Sequence, residues 1–214
     1  MGVITARRRR REAGDINMRV RALHIILVCA AVVGQSLNGE PAASYRCEGL
    51  FGRDASHAEI VKTFGADQTE DIGRFDAEMT VLFPDDPKRR LVMGWQDQKR
   101  QRGLSSVSIE GSSWKIAGIA IGTPLVEVER LNKGPFIINH FEGDQGGAII
   151  DWLGGQLAKP LPGGCHLGVS VNIRNTATGP MDDKLGRDQT LLSSGPGLRA
   201  MKPTVDKITV SFSE

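Results

Sequence analysis

The sequence predicts an α+β protein in which a short helix followed by antiparallel strands occurs twice. Segments 56–65 and 123–134 each combine a helix-starting residue, apolar residues at helical spacing and a closing glycine. Runs of strand-forming residues, separated by turn residues, follow both segments. The 214 residues, 40% hydrophobic and 24% charged, are enough for two small units of ordinary globular composition.

The second helical segment has the clearer start and stop. Thr123 is a favourable N-cap, and Pro124 fits the first helical position, where no intrahelical amide bond is lost. Gly134, followed by a proline, predicts the end of the helix. Two acidic residues suit its positive N-terminal turns, Glu127 and Glu129. An apolar face is predicted by three residues at three-residue spacing, Leu125, Val128 and Leu131.

The first helical segment follows the same plan with different residues. Ser56 and Glu59 predict a capping box, in which each side chain binds the backbone amide of the other residue. Gly65 predicts the end of this helix. Its apolar face is predicted to consist of Ile60, Val61 and Phe64.

The strand-like runs divide the rest of the chain into units at 45–113, 114–173 and 174–214. Predicted strands lie at 78–83, 90–95 and 104–110 in the first unit, and at 136–141, 147–152 and 165–173 in the second. Residues 174–203 are polar and rich in Gly, Pro, Ser and Asp, which predicts a long surface excursion. A final strand is predicted to carry three apolar residues on one face, Ile208, Val210 and Phe212.

Residues 1–44 have the three-part pattern of a secretory signal peptide. Arg19 and Arg21 precede an uncharged apolar run at 22–34 that is too short to span a bilayer. The small residues Ala42-Ala43-Ser44 then predict cleavage after Ser44. The sequence therefore predicts a periplasmic or secreted protein.

Charge and anchoring motifs narrow the range of partners. The basic excess lies in the predicted signal segment, with five consecutive arginines at 7–11, so the remainder of the chain is slightly acidic. That balance gives no support for nucleic-acid binding.

Translation from Met18 would remove the arginine run and leave a shorter signal peptide. Neither Cys29, which follows Leu27-Val28 instead of a small residue, nor Gly2 fits a lipidation motif, so no stable membrane anchor is predicted.

Cleavage would leave two cysteines, Cys47 and Cys165. In an oxidising compartment this even pair predicts a disulfide. The alternative is two buried thiols, because free cysteine packs as a small apolar residue. A metal site is not predicted, since neither cysteine has a second ligand at a metal-binding spacing.

The sequence contains no phosphate-binding loop, nucleophile elbow, zinc-protease motif or calcium loop, so no cofactor is expected. The sharpest candidate for chemistry is the group His140, Glu142 and Asp144 together with Asp151, which would form a weak metal or acid–base site at a strand end. A polar hairpin turn is the simpler interpretation, because turns collect these residue types for backbone reasons.

The three tryptophans also allow two interpretations. Trp95, Trp114 and Trp152 could line a sheet face that recognises a partner, because tryptophan is common at binding hot spots. The alternative is that they fill the core, which has few other aromatic residues in a chain with 5% Phe, Trp and Tyr.

The motif Gly122-Thr123-Pro124-x-x-Glu127-Val128-x-x-Leu131, closed by Gly134-Pro135, resembles the helix-opening motif of the β-lactamase-inhibitor-protein-like fold. Small outer-membrane assembly lipoproteins share that motif. The resemblance implies a short helical element packed on an antiparallel sheet, a unit that the inhibitor protein carries twice. The chain also resembles uncharacterised exported bacterial proteins with a start like Tyr45-Arg46-Cys47-Glu48-Gly49 and a Gly-Gly-Cys segment like 163–165. The resemblance implies no site residues, and the first segment departs from the motif at Asp54-Ala55-Ser56.

Two classes of function follow from these observations. The first is an exported, soluble, non-catalytic protein that binds another protein or a component of the cell envelope. The second is a small periplasmic hydrolase or metal-dependent enzyme with a site near His140.

Overall fold

The computed structural model describes residues 43–74, 77–141, 145–173 and 190–213. The predicted signal peptide lies outside the described residues except for its last two positions. In chain order the described strands and helices are β1 (Ala43–Ser44), α1 (His57–Phe64), β2 (Thr69–Arg74), β3 (Ala77–Leu82), β4 (Leu91–Asp97), β5 (Arg102–Ile109), β6 (Trp114–Lys115), α2 (Leu125–Asn132), β7 (Ile137–Ile138), β8 (Ile149–Asp151), β9 (Cys165–Asn172), β10 (Leu191–Leu192), α3 (Pro196–Ala200) and β11 (Thr204–Phe212).

Most of the described strands belong to one antiparallel sheet with the strand order β2-β3-β4-β5-β11-β9. Strands β2 to β5 are consecutive hairpins, and β11 pairs with β5 on one side and β9 on the other. β1 pairs in parallel with β6, and β10, β7 and β8 form a separate three-stranded sheet. Short helices on mostly antiparallel sheets confirm the predicted α+β class.

One face of the six-stranded sheet forms the centre of the core. Leu91 lies opposite Ile109, and Ile208 pairs with both Ile109 and Val169. All four are nearly or fully inaccessible to solvent. The predicted alternation in β9 and β11 is confirmed by the buried residues Cys165, Leu167, Val169, Val171, Ile208, Val210 and Phe212.

Helix α1 forms as its local sequence predicts. The Ser56 hydroxyl accepts from the Glu59 amide at 3.4 Å, and the Glu59 carboxylate accepts from the Ser56 amide at 3.1 Å. Gly65 ends the helix with φ of 96°, in the region that favours glycine. Ile60, on the inner face of the helix, is fully buried. The capping box is confirmed, and of the predicted apolar face Ile60 and the half-buried Phe64 pack against the core.

Helix α2 differs from its prediction at both ends. Pro124 is the N-cap, so the helix begins one residue later than predicted, and Thr123 is not its cap. The Thr123 hydroxyl instead accepts from the Ala120 amide at 2.9 Å. Lys133, with φ of 59°, takes the left-handed C-cap position that Gly134 was predicted to mark. Glu129 is buried and does not lie in the solvated first turn.

The strands after α2 are divided between two sheets, whereas those after α1 are consecutive in one. Predicted strand 136–141 shortens to β7, and β7 and β8 pair with β10, outside the six-stranded sheet. β9 reaches the six-stranded sheet by pairing with β11. The tandem repeat therefore stays a prediction.

The predicted surface excursion at 174–203 stays a prediction, and its described part, 190–203, is mostly exposed or half-buried but is anchored to the core. Leu198 is 2% exposed and Ser193 is fully buried. Pro196 stands at the first position of α3, which suits a residue without an amide hydrogen. A buried leucine, a buried serine and a proline at the helix start thus fasten this polar segment to the core. Residues 174–189 lie outside the described part.

Cys47 and Cys165 form a disulfide, which confirms the predicted pair. Their Cα atoms are 6.1 Å apart, and both residues are buried. The bond connects the segment before α1 to the start of β9. A disulfide of this kind fits an oxidising compartment.

Candidate functional site

The predicted group around His140 is described only in part, since Glu142 and Asp144 lie outside the described residues. The Nδ1 atom of His140 is buried and has no hydrogen-bond partner among the described residues. Asp151 accepts a hydrogen bond from the Leu153 amide at 2.7 Å, which is a turn contact. No three described His, Cys, Asp or Glu residues come close enough to hold a metal ion. The enzyme interpretation stays a prediction.

Two of the three tryptophans lie in the core. Trp95 is 3% exposed, and its Nε1 donates to the Thr80 hydroxyl at 3.0 Å. Trp114 is 8% exposed, and its Nε1 donates to the Arg89 carbonyl at 2.7 Å. Trp152 is half-buried and packs edge-to-face on Phe136, with ring centroids 5.3 Å apart. Of the three, only Trp152 adjoins an open surface.

That surface is apolar and belongs to the three-stranded sheet. Among the large apolar side chains of the described residues, four are strongly exposed, and three of them lie here: Ile150 (51%), Leu153 (48%) and Leu192 (44%). We call these three residues, with Trp152 beside them, the β8 surface. Exposed apolar patches on proteins mark interaction sites.

The strand register brings the members of the β8 surface together. Ile137 pairs with Leu192 on one side and with Asp151 on the other. The next pair is Ile138 with Ile149, so Ile150 is the extra residue of a bulge. Neighbouring strands lie about 4.8 Å apart, which places β8 and β10 roughly 10 Å from each other across β7. Ile150 and Leu192 therefore lie on the two edge strands of one narrow sheet, and Leu153 follows β8 in the next turn.

Leu153 is held in a backbone conformation that leucine rarely adopts. Its φ is 51°, and the following Gly154 has φ of 70°. The Gly155 amide donates to the Trp152 carbonyl at 3.0 Å and closes a tight turn around these two residues. A left-handed conformation costs a residue other than glycine about 1–2 kcal/mol. Such strain at an exposed apolar residue points to a function for that residue.

The turn that carries Leu153 is fastened to the end of α2. Asn132 is fully buried, and its amide nitrogen donates to the Trp152 carbonyl at 3.1 Å. Its amide oxygen accepts from the Leu157 backbone at 3.1 Å. A Cβ atom at Gly155 would lie 2.2 Å from that oxygen, so only glycine fits. The β8 surface is therefore presented on a fixed turn.

A buried polar network beneath α1 was not predicted. His57 is the first residue of α1, and its Nδ1 lies 3.0 Å from the Thr80 hydroxyl and 3.4 Å from the Asp71 carboxylate. The same hydroxyl accepts from Trp95, and Asp71 accepts from Gln101 at 3.0 Å. Thr80, at the centre of the network, is fully buried. The network joins α1 to strands β2, β3 and β4, which carry Asp71, Thr80 and Trp95. The partners lie far apart in the chain, and no local spacing reveals them.

Comparison of the chain with protein-family models, with curated proteins and with solved structures found no match in any of the three. Of the helices in the described ranges, none combines the length and the apolar character needed to cross a membrane. Only the chain's own residues therefore bear on its function.

Proposed function

We propose that this chain is an exported, non-catalytic binding protein that contacts a protein partner in the cell envelope through the β8 surface. The observation that supports this most is the exposure of Ile150 and Leu192 on the edge strands of one narrow sheet, and of Leu153 in the turn after β8. Completely burying a Leu or Ile side chain contributes about 1.5–3 kcal/mol, and these three are about half exposed. Their further burial by a partner would contribute roughly 3 kcal/mol in total.

The fixed Leu153 turn adds to this support. Ordering a flexible loop on binding costs free energy that a preformed loop has already lost. Asn132 and Asp151 hold the turn in the unbound protein by hydrogen bonds to Trp152 and Leu153. A partner therefore meets a surface that needs little rearrangement.

Site-specific photo-crosslinking in the cells that produce the protein tests the β8 surface. A crosslinking amino acid at 150, 153 or 192 should give the same labelled partner at all three positions. Lys207, which is exposed on β11, is the control position and should give none. The band from position 153 should disappear when Ile150→Lys is added. Equal labelling at position 207, or three unrelated bands, would contradict the proposal.

Export is part of the same proposal and is supported by the Cys47–Cys165 disulfide. Cleavage after Ser44 would remove β1, whose Ala43 amide donates to the Ser113 carbonyl at 2.6 Å. The Tyr45 nitrogen, 2.8 Å from the Lys115 carbonyl, would become the α-amino group, which still has hydrogens to donate to that carbonyl. Mass spectrometry of the exported product should therefore give an N-terminus at Tyr45. A cytosolic product that retains residues 1–44 would contradict export.

We also retain the two-copy, β-lactamase-inhibitor-like arrangement as a hypothesis. Helices α1 and α2 both have eight residues, and each carries one apolar residue that is fully buried, Ile60 or Val128. Against this, β7 and β8 lie outside the sheet that holds β2 to β5. An experimental structure in which one unit superposes on the other, strand for strand, would be needed to support it.

A further inference from the structure

Two adjoining cavities lie where α2 meets the segment before β11. The smaller, of about 240 Å³, has apolar walls that include Leu125, Val126 and Pro203. The larger, of about 380 Å³, is bounded by Glu129, Arg130 and Pro135, among others. Val126 and Arg199 line both cavities and so form the ridge between them. Val126 is the fourth strongly exposed apolar residue of the described chain, at 55%.

Arg199 is fixed at this ridge by a buried carboxylate. Glu129 is 9% exposed, and one of its oxygens accepts from the Ser193 hydroxyl at 2.6 Å. Its other oxygen accepts from Nη2 of Arg199. The Arg199 side chain nevertheless remains 46% exposed, and no other described residue accepts a hydrogen bond from it. A guanidinium has five N–H donors, so most of them remain available to a ligand.

The charge of the groove is positive. Lys202 is exposed at the smaller cavity and has no ion-pair partner among the described residues. Glu127, the nearest other carboxylate on α2, is 2.6 Å from Arg130 and is neutralised by it. Glu129 is likewise matched by Arg199. One uncompensated lysine and one anchored arginine thus stand beside an apolar cavity.

The geometry points to a binding site for the free C-terminal residue of an extended polypeptide whose last side chain is apolar. The carboxylate would bind between Arg199 and Lys202, because charge-assisted hydrogen bonds to a carboxylate are the strongest that side chains make. The last side chain would enter the cavity beside Leu125 and Pro203. Capture of a C-terminal carboxylate is a recurring mode of peptide recognition, and here two cationic side chains would take the place of backbone amides. The site uses none of the residues of the β8 surface.

Fluorescence anisotropy with two labelled peptides tests the assignment on the mature protein. Both end in Ala-Ala-Leu, one with a free carboxylate and the other with a C-terminal amide. The free acid should bind at least about tenfold more tightly, since the amide loses the charge-assisted contacts. Equal affinities, or no binding of the free acid at roughly 1 mM, would overturn the proposal. Equally tight binding of hexanoate would show that the groove takes any apolar carboxylate, and would overturn the assignment to a polypeptide.

Single variants locate the binding site. Lys202→Gln should weaken binding of the free acid about three- to tenfold and leave the weak binding of the amide unchanged. Val126→Ser should weaken both peptides by a similar factor, because it removes apolar contact alone. Lys207→Gln and Leu153→Ser are the matched controls and should bind as the parent does. Unchanged peptide binding in both Lys202→Gln and Val126→Ser would overturn the site. Peptide binding tests this groove alone, and photo-crosslinking tests the β8 surface alone, so the two proposals can fail independently.

Discussion

Helices α1 and α2 have the same length but are fixed by different kinds of contact. The start of α1 is set within four residues, by the reciprocal bonds of Ser56 and Glu59. The start of α2 has no side-chain cap. It is set by a segment far along the chain, since the Leu125 amide donates to the Pro203 carbonyl at 3.0 Å and the Gly122 amide to the Val205 carbonyl at 2.7 Å. The start of α1 is determined by neighbouring residues, whereas the start of α2 depends on the tertiary fold.

The surroundings of the two helices differ in the same sense. Phe64 at the end of α1 packs against Phe51 and Phe83, with ring centroids 6.3 and 5.4 Å apart. Helix α2 instead carries a buried carboxylate, Glu129, that binds Ser193 and Arg199 in the C-terminal segment. Apolar packing tolerates small shifts, whereas a buried charge needs its partner in place. The stability of α2 should therefore be more sensitive to distant substitutions.

The largest loss of stability is expected when a charge replaces the buried apolar residue of either helix. Ile60→Asp and Val128→Asp each place a carboxylate at a fully buried position. Burying an unpaired charge costs several kcal/mol, so both variants should lose cooperative unfolding in thermal melts followed by circular dichroism. The control is Val126→Asp, at a position on α2 that is 55% exposed. A stable Ile60→Asp variant would mean that α1 does not pack on the sheet as described.

Two arginines on or near α2 distinguish a buried pair from a surface pair. Arg199→Met leaves the Glu129 carboxylate buried with Ser193 alone, and should lower the free energy of unfolding by about 2–3 kcal/mol. Arg130→Met breaks the exposed pair with Glu127, and should lower the free energy of unfolding much less, because solvent screens an exposed ion pair. Urea denaturation of the two variants beside the parent measures both. Equal losses would show that the Glu129 pair contributes no more than a surface contact.

A smaller effect is expected from the residues at the helix starts. Ser56→Ala removes the cap of α1 and should cost about 1 kcal/mol. Thr123→Ala removes only the bond to the Ala120 amide, and should cost about 0.5–1 kcal/mol. Hydrogen exchange separates them further: the Glu59 amide should lose protection in Ser56→Ala, while the Leu125 amide stays protected in Thr123→Ala. Faster amide exchange at Leu125 in Thr123→Ala would instead show that Thr123 caps α2.

Removing the Tyr45 hydroxyl should change the stability at neutral pH least of all. The ring of Tyr45 packs on Phe51 and Trp114 in the aromatic cluster near α1. Its hydroxyl is buried without a partner among the described residues. Burial raises the pKa of Tyr45 well above its ordinary value of 10.0. The unfolded chain releases this proton near pH 10 and the folded chain does not, so stability is complete below that pH and falls above it.

Because Tyr45 is the only tyrosine of the chain, absorbance at the tyrosinate band follows it alone. The native protein should show no ionisation near pH 10, and the band should rise only as the protein unfolds. Tyr45→Phe should change the free energy of unfolding at pH 7 by less than about 0.5 kcal/mol and should remove its share of the alkaline loss. Ordinary titration of Tyr45 in the folded protein would contradict this.

What the sequence predicted well was local or periodic. The Ser56–Glu59 box, the alternation of Cys165 to Asn172 and the apolar face of β11 each depend on a few neighbouring residues. The disulfide followed from counting cysteines after the expected cleavage. The start of α2 was misplaced because pairing of Gly122 and Thr123 with Val205 holds the chain extended there, a contact that spans about 80 residues.

The candidate sites were less predictable for the same reason. The β8 surface depends on a bulge at Ile150 and on a leucine in a left-handed turn, which leucine propensity argues against. Trp152 was the one predicted binding residue that adjoins this surface. Arg199 and Glu129 meet only because the segment before β11 returns to α2. No spacing rule joins residues that far apart.

The position of β11 has a consequence for how the chain is made. Strand β9 joins the six-stranded sheet only through β11, so the sheet cannot be completed before residue 212 has left the ribosome. Until then β5 and β9 both have an unpaired edge, and the intermediate is held together by the hairpins β2 to β5. Pairings of such long sequence separation form slowly. A nascent chain whose sheet is completed by its last strand therefore stays only partly folded until synthesis ends.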